Sequence, residues 1–419
     1  MEATSQTRPR RRRVARVTDS NVGTSGAGNT GAGNTDTEMS VRRITLAVCV
    51  LFFANGAVYG NWLPRLPEIR DRLDVSNAGL AVSLLGGGVG GIVGSIAVGR
   101  VMTRLGSRRL VLWSLLFLPM CMTLIAFVGE PWMLLVVLAL IGVTDVLADV
   151  AMNAQGVIAQ ERLKRSIMNR LHGLWSLGFA TGTLVGSICA GLDVDLRLQV
   201  VSVAVVLIVS SRVVGRHLST TDPRHDESGE AAPSRRQLGI VAVALAVAGA
   251  GAISLEGAPN EWASLLMRDE FGIGSWAGFG TVAFGSGMLL GRFSGDHVQE
   301  RLGFDRMFRF ATVLIVVGLA AAIVTDVVVL ALLGLFVSGV GQSVIFPRLY
   351  LVAARVPGLS AGAGLGALMV GLRVGGMATT LSMGAISDAT NLRVALAVVG
   401  VVALAALLVS NAAVARRVV

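Results

Sequence analysis

Between Ile44 and Val414 the chain passes through twelve mainly apolar segments, most of them long enough to cross a bilayer as an α-helix, which takes about 20 residues. They run Ile44–Leu63, Ala78–Val98, Leu110–Val128, Pro131–Ala154, Leu171–Gly191, Leu198–Val214, Leu238–Ala263, Trp276–Gly295, Phe308–Thr325, Val327–Pro347, Ala361–Ser387 and Leu392–Val414. Backbone amides in hydrocarbon find no water, so each segment must satisfy its own, and a helix does so. Composition agrees: 53% of residues are hydrophobic and 15% charged, too little charge to cover a soluble core. The expected fold class is an all-α membrane protein. Cys49, Cys121 and Cys189 fall inside apolar runs without metal or disulfide spacing and read as small buried residues.

Two polar stretches frame the spans. Residues 1–40 hold an arginine cluster (Arg8, Arg10, Arg11, Arg12, Arg13, Arg16) and a Gly/Ala/Asn/Thr run from Gly23 to Asn34, a composition expected to be disordered. Such a tail could touch anionic lipid headgroups. The plainer readings are an idle tail, or a true start at Met39. Residues 216–237, with Asp222, Pro223, His225, Asp226, Glu227 and Pro233, read as a cytoplasmic linker between six-helix bundles at 41–215 and 238–419.

A net charge of +10 suggests nucleic acid only until the cations are placed. With both termini cytoplasmic, the even loops and tails carry 29 of the 36 Lys and Arg residues. Among them are Arg100, Arg104, Arg108 and Arg109, then Arg162, Lys164, Arg165 and Arg170, then Arg292, Arg301, Arg306 and Arg309. The opposite side has six, namely Arg65, Arg70, Arg72, Arg197, Arg268 and Arg393, and Arg373 lies inside a span. This asymmetry predicts a plasma (inner) membrane protein with both ends in the cytoplasm, lipids around it, and no nucleic-acid partner.

The halves repeat. Arg104-Leu105-Gly106 after span two recurs as Arg301-Leu302-Gly303 after span eight, an offset of 197 that also brings Gly178 onto Gly375. Spans one and seven end in Asn61-Trp62 and Glu261-Trp262. Glycines crowd spans two (Gly86, Gly87, Gly88, Gly90, Gly91, Gly94) and eight (Gly278, Gly280, Gly285, Gly287, Gly291). Span five has Gly178, Gly182 and Gly186, and span eleven Gly371 and Gly375. Small residues at this spacing let helices approach closely, and a surface on which the halves rock is expected to use them.

Residues 41–415 resemble the major facilitator superfamily. The loop Gly99-Arg100-Val101-Met102-Thr103-Arg104-Leu105-Gly106-Ser107-Arg108-Arg109 is similar to its signature G-x-x-x-D-R-x-G-R-R, with Thr103 at the acidic position and Glu300 at the equivalent place in the second half. Asp149-Val150-Ala151-Met152-Asn153-Ala154-Gln155-Gly156, then His172-Gly173-Leu174-Trp175-Ser176-Leu177-Gly178, and Glu256-Gly257 with Glu261-Trp262, resemble the MosC-like branch. The resemblance implies twelve helices in two pseudo-symmetric six-helix bundles. It also implies a gating loop at Gly99, Thr103, Arg104, Gly106, Glu300, Arg301 and Gly303, and a central cavity lined by spans one and seven.

Ionisable groups in hydrocarbon cost several kcal/mol unless they face a cavity or a partner, so they are the best pointers to a site. Asp145 and Asp149 share one face of span four, which Asn153 continues. Two adjacent carboxylates in low dielectric suit a proton carrier, because keeping both charged is costly. The alternative is that one sits at the cytoplasmic end, paired with Arg165 or Arg170. Glu256, with Asn260 four residues on, is the first choice for substrate or proton binding; Tyr59 and Asn61 lie at similar depth in span one. Glu261 reads as the wet end of its helix. Arg373 needs a cavity carboxylate or an anionic solute group as partner. His172 reads as a structural hydrogen-bonder or solvent contact. Trp62, Trp132, Trp262 and Trp276 read as interfacial anchors, and Trp175, which lies deeper, as cavity lining.

There is no phosphate loop, metal-ligand cluster or nucleophile triad in the sequence, so neither an enzyme nor a cofactor or metal is expected. The expected function is secondary transport of a small organic solute by alternating access, coupled to protons, by a monomer. Facilitated diffusion, export of amphipathic compounds, and a non-transporting sensor or scaffold remain open alternatives.

Overall fold

In the computed structural model, residues 32–165, 167–220, 235–354 and 361–418 are described, and they form α-helices and short 3-10 turns without strands. The helices are α1 (Ala32–Trp62), α2 (Leu66–Arg72), α3 (Asn77–Leu124), α4 (Pro131–Leu163), α5 (Met168–Gly191), α6 (Leu196–Gly215) and α7 (Arg235–Asp269). They continue with α8 (Phe279–Leu302), α9 (Phe304–Val324), α10 (Val328–Gln342), α11 (Ile345–Ala354), α12 (Ala361–Ala389) and α13 (Leu392–Val418). The Arg8–Arg16 cluster and residues 221–234 of the linker lie outside the described residues. Helix α1 begins at Ala32, inside the stretch expected to be a disordered tail.

Ten stretches among the described residues are long and apolar enough to cross a bilayer. One of them, Asn77–Phe127, is two spans: α3 breaks at Gly106, where φ is 74° and ψ is 157°. Helix α8, more polar than the rest, supplies the twelfth span. The tenth is split into α10 and α11 at Ser343–Val344. Pro347 explains the split, since its ring nitrogen cannot donate to the carbonyl four residues back and its ring crowds it.

The two loop glycines confirm the duplication in backbone geometry. Gly303 has φ 73° and ψ 164°, nearly the values at Gly106, and both lie in a region that essentially only glycine occupies. Alanine at either position is expected to cost about 1–3 kcal/mol. Thermal unfolding in detergent checks this: each single variant should melt several degrees lower, and unchanged melting would refute the strain assignment.

The glycine stripes do two jobs, the expected one between the halves and a second within each half. A Cβ on Gly178 would overlap the Phe53 carbonyl oxygen, and one on Gly371 would overlap that of Ala246. Gly86 and Gly90 press likewise on Leu135 and Ala139 of α4, and Gly287 on Phe336 of α10. These stripes lock helices together within a half: α1 with α5, α3 with α4, α7 with α12, α8 with α10. The halves meet, as expected, along α3/α12 and α5/α8 through further glycines of the same stripes, Gly88 against Met377 and Gly285 against Phe179. A glycine-rich helix has two sides, and the stripe spacing does not say which partner each side meets.

Two tryptophans also depart from expectation. Trp132 and Trp276 are exposed as anchors would be, whereas Trp62 and Trp262 are buried. Helix α7 runs past Ala263 to Asp269, and the extra turns, from Ser264 to Met267, are buried in the bundle.

Candidate solute-binding site

Helix α4 presents Asp145, Asp149 and Asn153 on one side because they are spaced by four. Helix α1 offers Asn55 and Tyr59, also four apart. Asn55 Nδ2 donates to Asp145 Oδ1 at 3.1 Å, and Asn55 Oδ1 accepts from Trp175 Nε1 at 2.7 Å. Tyr59 lines the same cavity wall as Asp145. Trp175 stacks on Phe179 at 5.7 Å between centroids. Asn153 Nδ2 donates to Asp149 Oδ1 at 2.9 Å. The two carboxylates are therefore held by neutral partners, and the pairing with Arg165 or Arg170 does not occur.

Arg373 reaches this group from the other half. Its Nη2 donates to Ser95 Oγ of α3 at 2.9 Å. It passes over Gly91, where a Cβ would stand 2.5 Å from Nη1. Tyr59, Asp145, Asp149 and Arg373 line a cavity of about 280 Å³, with Gly87, Gly91 and Gly142 supplying bare backbone on its wall. Among the described residues no carboxylate comes within 4 Å of Arg373, so its guanidinium has no acid partner there. The cavity thus places one fixed cation opposite two acids.

A second polar group lies in the other half. Glu256 Oε1 is 3.8 Å from Arg292 Nη2, and Arg292 Nη1 donates to Ser176 Oγ of α5 at 2.5 Å. Arg292, counted among the loop cations from sequence, is within α8 and works at depth. Gln342 is buried at the end of α10 and donates to the Ala252 carbonyl at 2.9 Å. Among the described residues, Glu256 Oε2, Asn260 Oδ1 and Gln342 Oε1 are buried acceptors without a hydrogen-bond partner. Glu261 is not the wet end of its helix: it lies two turns inside α7 and accepts from Thr380 Oγ1 of α12 at 2.8 Å.

Other sequence candidates go elsewhere. Asn61 is buried and accepts from Gln199 Nε2 of α6, which in turn accepts from Arg65; this network is separate from the cavity. Its position two residues past Tyr59 turns it away from the face that Asn55 and Tyr59 share. That (i, i+4) spacing is the signal that marks Asn55. His172 sits edge-on to Phe52 at 5.4 Å. In the loops for which the resemblance implies gating, Thr103 Oγ1 donates to the Arg100 carbonyl at 2.9 Å, and Arg104, Glu300 and Arg301 are exposed. Glu300 has no ion pair among the described residues. Asp305 instead pairs with Arg348 at 3.2 Å. Gly99 has open space around it. Ser95, Ser176 and Gln342 carry no sequence signal that separates them from ordinary span residues, whereas Arg292 falls inside the span Trp276–Gly295, where its charge is a signal that grouping it with the loop cations passes over.

The family profile described as Major Facilitator Superfamily matches residues 47–347. An uncharacterised MFS-type transporter of Yersinia pestis is 26% identical over 372 residues, 88% of this chain and 94% of that protein. The membrane protein MosC of Rhizobium meliloti is 28% identical over 333 residues, 77% of this chain and 79% of its own. A crystal structure of a bacterial homologue of the human lysosomal transporter Spinster, inward-facing and unoccupied, is similar with a TM-score of 0.69. Identity to it is 12%, and the match covers 90% of this chain and 98% of that one; the likeness bears on fold.

Proposed function

Since the chain belongs to the Major Facilitator Superfamily, we propose that it is a secondary transporter carrying a small polar organic solute across the inner membrane by alternating access, coupled to protons, with both termini cytoplasmic. The observation that carries this reading is the cavity between the halves, where Arg373 of α12 faces Asp145 and Asp149 of α4. Its volume of about 280 Å³ lies at the lower edge of small-molecule pockets, roughly 300–1,000 Å³. A charged, hydrogen-bonding wall favours a polar solute over the amphipathic compounds of the exporter alternative.

In this reading a solute bonds Arg373 and so touches both halves, which gives its binding a different energy in each conformation, the requirement for driving a switch. Two carboxylates on one helix face cannot both stay charged cheaply once water leaves, so closing the cavity favours taking up a proton at Asp145 or Asp149. The solute and the proton then cross together. Lipids surround the spans.

A thermal-stability screen of the purified protein against polyols, sugars, organic anions and lipophilic amines identifies the solute, since binding to the folded state raises its melting temperature. With that solute in proteoliposomes, Asp145→Asn is expected to reduce accumulation driven by a pH gradient to background while solute exchange persists. Accumulation by Asp145→Asn at the parental level would remove Asp145 from the coupling step.

A further inference from the structure

An Arg-Asp dipeptide occurs after the first span of each half: Arg70-Asp71 and, 198 residues on, Arg268-Asp269. The structure crosses them. Arg70 grips Asp269 with both terminal nitrogens, Nη2 donating to Oδ1 at 2.9 Å and Nη1 to Oδ2. Arg268 Nη2 pairs with Asp71 Oδ2. Arg70 also donates to Asp71 Oδ1, so the four charges alternate along one chain, Asp269–Arg70–Asp71–Arg268. Each copy's arginine holds the other copy's aspartate, as a near-two-fold relation between the halves requires.

The surroundings tie the same end shut. Arg70 Nη1 donates to Asn77 Oδ1 at 2.9 Å. The Asn77 and Ala78 amides at the start of α3 donate to Asp388 at the end of α12, both at 2.9 Å, so one half caps a helix of the other. Close backbone contact follows below: a Cβ on Gly278 would press on Pro64 and Ser187, and one on Gly384 on Ala81. Among the described residues these are the ion pairs that bridge the halves; Arg104, Glu300 and Arg301 at the opposite end are exposed without one.

We infer that the duplicated Arg-Asp pair is a reciprocal latch that holds the two halves together at the end bearing the odd-numbered loops, and that it must release for the cavity to open there. Its strength suits a part that opens in every cycle. The four side chains are 14–40% exposed, so water competes for each pair and no single one is a strong clamp. Two together, with the Asp388 cap, bias the equilibrium between closed and open. The latch goes beyond the proposed transport reading and rests on it only for the purpose of opening.

The test uses the full chain in proteoliposomes, with Cys49, Cys121 and Cys189 replaced by serine and a reporter introduced as Ser187→Cys. Ser187 is fully buried at the latched end, against Gly278 of the other half. A membrane-impermeant maleimide should label it slowly. Arg70→Asp should speed labelling about tenfold, and adding Asp269→Arg should return it to the slow rate. Asp71→Arg with and without Arg268→Asp provides an independent pair should either single variant fold poorly. Single reversals that label at the parental rate, or charge swaps that stay as fast as the singles, would overturn the latch. Because the readout is accessibility, labelling that follows charge pairing in a protein showing no flux would sustain the latch while counting against transport.

Discussion

Replacing Arg373 with alanine is expected to weaken solute binding by at least thirtyfold and to take transport with it. Arg373 is the cation on the wall of a cavity otherwise lined by acids and neutral groups, and it stands on α12 while the acids stand on α4. Among the described residues its side-chain hydrogen bond goes to Ser95 Oγ, and its guanidinium lines the cavity. A hydrogen bond from a charged group is worth roughly 1.5–3 kcal/mol, so losing two of them to a bound solute exceeds the thirtyfold bound. Gly91→Val should do much the same without touching a charge, because the added Cβ would stand 2.5 Å from Nη1 and drive the guanidinium off its seat. The ligand-induced rise in melting temperature measures binding, and proteoliposome flux measures transport. Parental values of both in Arg373→Ala would move the binding site away from this cavity.

Gly371→Leu is expected to leave no folded protein. Its Cβ would overlap the Ala246 carbonyl oxygen, and backbone cannot give way as a flexible side chain can. Helices α7 and α12 would have to separate along their length, and with them the faces that carry Glu261 and Thr380. The cost should exceed about 4 kcal/mol, the range in which single substitutions abolish folding. Gly87→Ala is the matched control: Gly87 lines the cavity, and a Cβ there meets nothing within 4 Å. Size-exclusion chromatography in detergent should show a monodisperse Gly87→Ala and an aggregated or absent Gly371→Leu. A monodisperse Gly371→Leu with parental melting would show that this helix pair is not locked by its glycines.

The span pattern and the duplication were legible because both are written locally along the chain. A helix in hydrocarbon satisfies its own backbone, so an apolar run of sufficient length identifies itself without knowledge of its neighbours. Gly106 and Gly303 mark the same turn twice, and their nearly equal φ and ψ angles carry the sequence repeat into geometry. The acids of the site were legible for a similar reason: Asp145 and Asp149, spaced by four in an apolar helix, need no partner to be recognised as costly.

What the sequence determined by itself, then, was twelve helices, their duplication, and which costly groups lie inside them. The tertiary structure decided the direction in which each helix face points. Asn55 and Asn61 are both polar residues of α1, yet one holds Asp145 and the other turns to Gln199. Trp262 resembles an interfacial anchor but is buried, and Arg292 resembles a loop cation but reaches Ser176 across the halves. The crossing of Arg70 with Asp269 and of Arg268 with Asp71 is invisible in either dipeptide alone. The physical reason is that hydropathy and glycine spacing describe a helix as a cylinder with a period, whereas its rotation about its own axis is set by packing against neighbours distant in sequence.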